Sequence, residues 1–165
     1  IGKEQDYDVK RFSTESFNAP ISSIPTNKIL SVEEGTTVAD AVALMQSKRI
    51  GSLTIVKDHK LVGILTERDI LMKAIGHSQE LSSLLVDDIM TPNPQTLRKG
   101  DEIAYVLNNM HVGGYRHIPI VDENNVPESM ISIKDVVDWV LDHFPQEILC
   151  MTGEPFRGES SRDSG

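Results

Sequence analysis

The 165-residue chain has one cysteine, Cys150, only 5% aromatic residues, and no apolar run near the ~18 residues of a membrane span. A lone cysteine excludes an intrachain disulfide or a thiolate metal cluster and suits a reducing cytoplasm, with Cys150 an inert thiol near the end of the fold. The opening residues, IGKEQDYDVKRF, hold no signal-peptide core, so secretion and membrane spanning are not expected. Positive charge is scarce. Sixteen Lys+Arg against 25 Asp+Glu give a net charge of −9, which excludes a generic grip on duplex nucleic acid. Any anionic ligand must be held by local positive charge. The five histidines show no H-x-x-x-H or mixed Cys/His spacing, so no metal site is expected. Nucleophile elbows, Gly-rich Lys-Ser/Thr loops and Cys/His pairs are missing too, so no catalytic residue is expected and the chain reads as a non-enzyme. It begins at Ile1 rather than Met, which leaves room for a part excised from a larger enzyme or transporter.

What the chain does have is an internal repeat. Residues 35–45, GTTVADAVALM, align with 100–110, GDEIAYVLNNM, 65 positions on. Val38, Ala41, Val42 and Met45, and likewise Ile103, Val106, Leu107 and Met110, fall at i, i+3, i+4, i+7, one face of a helix. Thr37 with Asp40 predicts an N-cap for the first helix, and Asp101 for the second. The β-rich runs SLTIV (52–56) and HIPIV (117–121) follow, then the polar turns KDHK (57–60) and DENN (122–125), then LVGIL (61–65) and ESMIS (128–132). ERDILMKAI (67–75) and KDVVDWVLDHF (134–144) close the two units as helices. Their expected core stripes are Ile70, Leu71 and Ala74, and Val136, Val137, Val140 and Leu141. The fold class is α/β (α+β), with two half-size units sharing a core. The expected division is an N-terminal extension (1–19), a first unit (20–77), a linker helix (78–90, SQELSSLLVDDIM), a second unit (91–145) and a flexible tail (146–165).

Chemistry concentrates at the strand-to-helix junctions. Gly63-Ile64-Leu65-Thr66-Glu67-Arg68-Asp69 is answered by Ser129-Met130-Ile131-Ser132-Ile133-Lys134-Asp135. For one copy alone, a hydroxyl three residues before a carboxylate is a helix cap. Recurrence adds meaning, because each copy also places a cation, Arg68 or Lys134, between the two. A hydroxyl, a cation, a carboxylate and helix N-terminal amides suit a nucleoside phosphate: the carboxylate takes the ribose hydroxyls, the amides and cation the phosphate. Arg116-His117-Ile118-Pro119 reads either as an edge strand with two solvated bases or, given the repeat, as a phosphate contact.

These tandem units resemble a pair of CBS domains, a Bateman module, over about residues 20–144, on SVEEGTTVADAVALMQSKRIGSLTIVKDHKLVGILTERDIL and its counterpart from IMTPNPQTL through ISIKDVV. The resemblance implies β-α-β-β-α repeats packed with pseudo-twofold symmetry, a homodimer, and two clefts for adenosine-containing ligands. In the first cleft Thr66 and Asp69 would hold the ribose and Pro94, Gln95 and Thr96 the adenine. Arg116, His117 and Lys134 would face the phosphate, with Pro119 packed nearby. In the second, Ser132 and Asp135 would hold the ribose and Ile29, Leu30 and Ser31 the base, completed by Ser52, Leu53 and Arg68. Where the family has glycine before the second hydroxyl this chain has Ser129, beside Glu128, which would narrow the second cleft. The first cleft, with three basic residues against one, therefore ranks as the better site. The implied function is a cytoplasmic regulatory energy sensor for AMP, ADP or ATP, AMP foremost, with no catalytic cofactor. The alternatives are a ligand-independent dimerisation scaffold, an S-adenosylmethionine or NAD binder, or a regulatory part of a larger protein.

Overall fold

β-branched and other apolar residues fill the runs expected as strands, and strands form there. The computed structural model describes residues 17–76 and 79–143. The expected tail, Cys150 and residues 1–16 of the extension lie outside the described residues. In the first unit, β1 (Ser31–Glu33) lies parallel to β2 (Ser52–Lys57). α1 (Val38–Lys48) supplies the crossover that parallel pairing needs. β2 turns back antiparallel into β3 (Lys60–Thr66). α2 (Glu67–Asp69) follows and continues as a π-turn over Ile70–Ala74. After α3 (Val86–Ile89) and β4 (Thr91–Pro92), the second unit repeats the plan with α4 (Ile103–Gly113), β5 (His117–Val121), β6 (Pro127–Ser132) and α5 (Ile133–His143). Its first strand is reduced to one parallel bridge, Leu97 to Ile120.

The units exchange chain. β3 pairs with β4, the lead into the second unit, through Gly63–Pro92 and Ile64–Thr91. Reciprocally, Ser129 of β6 pairs with Lys28, in the lead to β1. Gly63 is glycine because a Cβ there would run into the Met90 sulfur and crowd the Thr91 carbonyl. Each unit keeps its own core, around Val38, Leu53, Ile55 and Leu65 in one and Ile103, Val106, Ile118, Ile131 and Trp139 in the other. A third cluster, Leu61, Ile64 and Val121 with Met130, joins them. At the hairpin tip the Leu61 amide donates to the Asn125 carbonyl (2.9 Å) and Asn125 Nδ2 to the Leu61 carbonyl (3.1 Å). The architecture is the mixed α+β repeat expected.

Four local expectations are corrected. Of the linker helix expected over 78–90, the described residues 79–90 are helical only at Val86–Ile89; Leu84 and Ile89 reach the core while Leu85 stays exposed. The π-turn widens the helix after Asp69, so Leu71 points to solvent at 62% exposure while Ala74 is buried. Trp139 occupies the core in α5, rotating Val137 and Leu141 outward to 50% and 42% exposure. Asp101 does not cap α4: its Oδ2 accepts the Arg98 amide (2.8 Å) in the preceding turn, and Glu102 takes the cap position without a side-chain bond. The Thr37 cap forms, accepting from the Asp40 amide.

Candidate functional site

Each junction closes on itself in the same way. Extended backbone brings β3 to Thr66, whose hydroxyl accepts the Asp69 amide (3.2 Å) and donates to Asp69 Oδ2 (2.9 Å), which also takes the Thr66 amide (3.0 Å). Ser132 and Asp135 copy this at 3.3, 2.9 and 2.8 Å. The box consumes one carboxylate oxygen and fixes where the other points. There the copies diverge. Asp69 Oδ1 is bound by Lys73 Nζ at 2.9 Å, and Asp69 is only 8% exposed. Among the described residues, nothing hydrogen-bonds Asp135 Oδ1.

Asp135 lines a cavity of about 300 Å³ together with Ser132, Lys134 and His117. The first unit supplies Asn27, Lys28, Ile29 and Leu30 from the lead to β1, and Arg49, Ile50, Gly51 and Ser52 from the passage between α1 and β2. Lys28, Arg49 and Lys134 oppose one carboxylate, so the cleft is locally cationic in an acidic protein. Arg49 reaches it from a left-handed backbone (φ 53°) that ends α1. Lys134 also pairs along its helix with Asp138 (2.6 Å). Burial pushes the His117 imidazole below its ordinary value near 6.5, assisted by Arg116 and opposed by Glu67, Asp135 and Asp69. His117 is thus neutral at pH 7.

The expected second cleft is thereby brought together in Ser132, Asp135, Ile29, Leu30 and Ser52. Its other members are not. Leu53 is fully buried in the first core, Arg68 is exposed and outside the lining, and Ser31 turns its hydroxyl to Thr54 Oγ1 (2.7 Å). Of the expected first cleft, His117 and Lys134 instead line the Asp135 cavity, which removes the charge argument that ranked the first cleft higher. The reason is the pairing inside the second unit: the start of β5 pairs with Ser132 of β6, not with Thr66. Arg116 is exposed, with its carbonyl accepting the Ile133 amide. Pro119 is buried inside β5, opposite Met130 and flanked by Leu97, so it sits on no edge. Pro94 is half-buried and Gln95 exposed, while Thr96 lines a different cavity with Arg98, Asp101 and Asp122. Glu128 and Ser129 do not narrow the Asp135 cavity. They line another depression, where Glu128 pairs with Lys99 (3.4 Å). Lys28 and Arg49 went unseen in the sequence, because their only signal is a position set by tertiary exchange.

The family model for the CBS domain matches residues 21–76 and 86–142. The chain belongs to the CBS-domain family. It is a CBS pair, a regulatory module of two tandem copies. It is 32% identical over 123 residues to an uncharacterized 17.7 kDa protein of Acidianus ambivalens, covering 74% of this chain and 73% of that one. An uncharacterized conserved protein from Pyrococcus horikoshii superposes with a TM-score of 0.67 at 29% identity, over 74% of this chain and 92% of that one. CBSX2 shares the fold at 21% identity, with a TM-score of 0.66 over 74% of this chain and 97% of its own. The CBS pair spans only 22% of the length of the Arabidopsis thaliana CBS domain-containing protein CBSCBSPB3.

Proposed function

We propose that this CBS pair is a non-catalytic sensor that binds an adenine nucleotide, AMP foremost and also ADP or ATP, in the cleft onto which Ser132 and Asp135 open. The observation that carries the reading is Asp135 Oδ1. It is an unengaged carboxylate oxygen in the lining of a cavity whose volume, about 300 Å³, is at the small end of ligand sites, and three cations share that lining. A carboxylate suits a ribose diol, and Lys28, Arg49 and Lys134 suit phosphate. The fold accommodates such ligands elsewhere: CBSX2 was crystallised with AMP, and the CBS pair of MJ0100 with 5′-methylthioadenosine and S-adenosyl-L-methionine. The cationic lining favours a phosphate over the positively charged sulfonium of S-adenosylmethionine.

The pair acts as a homodimer in this reading, supported by an apolar groove of about 600 Å³ between α4 and α5, lined by Leu107, Met110, Ile133, Val137 and Leu141. Ligand binding shifts dimer packing or a partner contact only by its differential affinity for two states. Among the described residues no helix is long and apolar enough to cross a membrane, and a cytoplasmic setting fits the single cysteine. Calorimetric titration tests the reading, with sedimentation of the same samples reporting the dimer. AMP binds, S-adenosylmethionine binds more weakly, and Asp135→Asn, which keeps a capping oxygen, loses AMP affinity 10- to 100-fold. That loss matches one charged hydrogen bond at about 1.5–3 kcal/mol. Absence of heat and of thermal stabilisation with AMP, ADP and ATP alike would leave a ligand-independent scaffold.

A further inference from the structure

We infer that Lys73 closes the first ribose-binding box by holding Asp69, so that this CBS pair takes one nucleotide per chain despite carrying two copies of that box. The inference rests on the nucleotide reading and names what limits it to one site. Both boxes have the same internal bonds, so the boxes themselves cannot distinguish the clefts. The difference lies four residues on from each aspartate. In the first unit that position is Lys73, whose Nζ binds Asp69 Oδ1 at 2.9 Å and donates to the Ile89 carbonyl at 3.1 Å. In the second unit it is Trp139, which is 3% exposed and packed in the core against Phe17. Tryptophan offers a carboxylate no charge partner, and Asp135 Oδ1 is left for a ligand.

Three features hold Lys73, whose side chain is itself half-exposed, on Asp69. The π-turn over Ile70–Ala74 widens the chain where Lys73 leaves it. The Ile89 carbonyl, at the end of α3, has no helical partner of its own and gives the ammonium a second anchor. Asp69 is withdrawn to 8% exposure, with both oxygens engaged. A ribose approaching Asp69 must therefore displace a charge-assisted bond before making its own, whereas at Asp135 it displaces only water.

Titration of the whole chain with AMP decides it. The wild type binds one AMP per chain, Asp135→Asn loses that site, and Lys73→Met binds two. Lys73→Arg, which preserves the cation, stays at one, and Lys73→Met with Asp135→Asn returns to one through the opened cleft. Thermal melts confirm that each variant is folded, and Lys73→Gln replaces the methionine variant if its melting point collapses. Two AMP per wild-type chain would overturn the inference while leaving the nucleotide reading intact, as would one per chain in folded Lys73→Met and Lys73→Gln. No AMP on the wild type would sink the nucleotide reading itself.

Discussion

His117 stands between two helix starts and feels the carboxylates of both, Glu67 and Asp69 from one unit and Asp135 from the other, with Arg116 beside it. Burial is the largest influence and favours the neutral ring. The unfolded chain, with an ordinary histidine near 6.5, takes up this proton before the folded one does. The stabilisation is therefore complete above that pH and is lost as pH falls through 6.5 toward the lower folded value. In urea titrations across this range the wild-type midpoint should fall more steeply than that of His117→Gln. The carboxylates are common to both proteins, so the difference isolates the imidazole; parallel slopes would refute the assignment. At this scale the sequence disclosed the two boxes because their bonds span three residues, a distance that spacing reports directly. It did not disclose the use of Lys28 and Arg49, which meet Asp135 only after the units exchange chain.

Between residue and molecule, the elements were legible wherever periodicity alone determines them. β2, β3, β5 and β6 fall within a residue of the apolar runs that foretold them, and α1, α4 and α5 cover the striped segments with ends displaced by up to three residues. Failures occur where tertiary contact overrides pattern: the π-turn after Asp69, the mostly non-helical 79–85, and the rotation of α5 about Trp139. Gly63 is another element-level fact, its meaning set by the strand that crosses it. β4 delivers Met90 and the Thr91 carbonyl against the glycine face, so a methyl there must push the Met90 side chain aside or part β3 from β4. Gly63→Ala should cost about 1–3 kcal/mol, the usual range for overpacking. Adding Met90→Ala should recover part of that loss in a denaturant melt. A neutral Gly63→Ala, or no rescue, would mean that the β3–β4 contact yields freely. Ser129 has no such constraint, since Lys28 pairs there instead, which explains why the repeat tolerates a side chain in one copy only.

For the whole molecule, the decisive feature is that neither unit's sheet is made from its own chain alone. β3 is bordered by β4 and β6 by Lys28, the Leu61, Ile64, Val121 and Met130 cluster is shared, and the hairpin tip is tied by two hydrogen bonds through Asn125. A unit of this size is marginal alone, so these shared contacts should make the pair unfold as one. The single tryptophan allows a direct test, because Trp139 is buried in the second core and reports that unit, whereas far-ultraviolet circular dichroism reports both. Ile55 is fully buried in the first core, in a different cluster from Trp139. Ile55→Val removes one methylene there and should cost about 0.5–1.5 kcal/mol. With coupled units, the Trp139 fluorescence midpoint falls by the same amount as the dichroism midpoint, although the substitution lies in the other unit. With independent units, the fluorescence transition stays where it was and the dichroism splits into two. The first outcome is what the proposed sensor requires, because a nucleotide bound as proposed between Lys28, Arg49 and Asp135 would then bear on both units at once, and its binding energy would reach any surface that either unit presents.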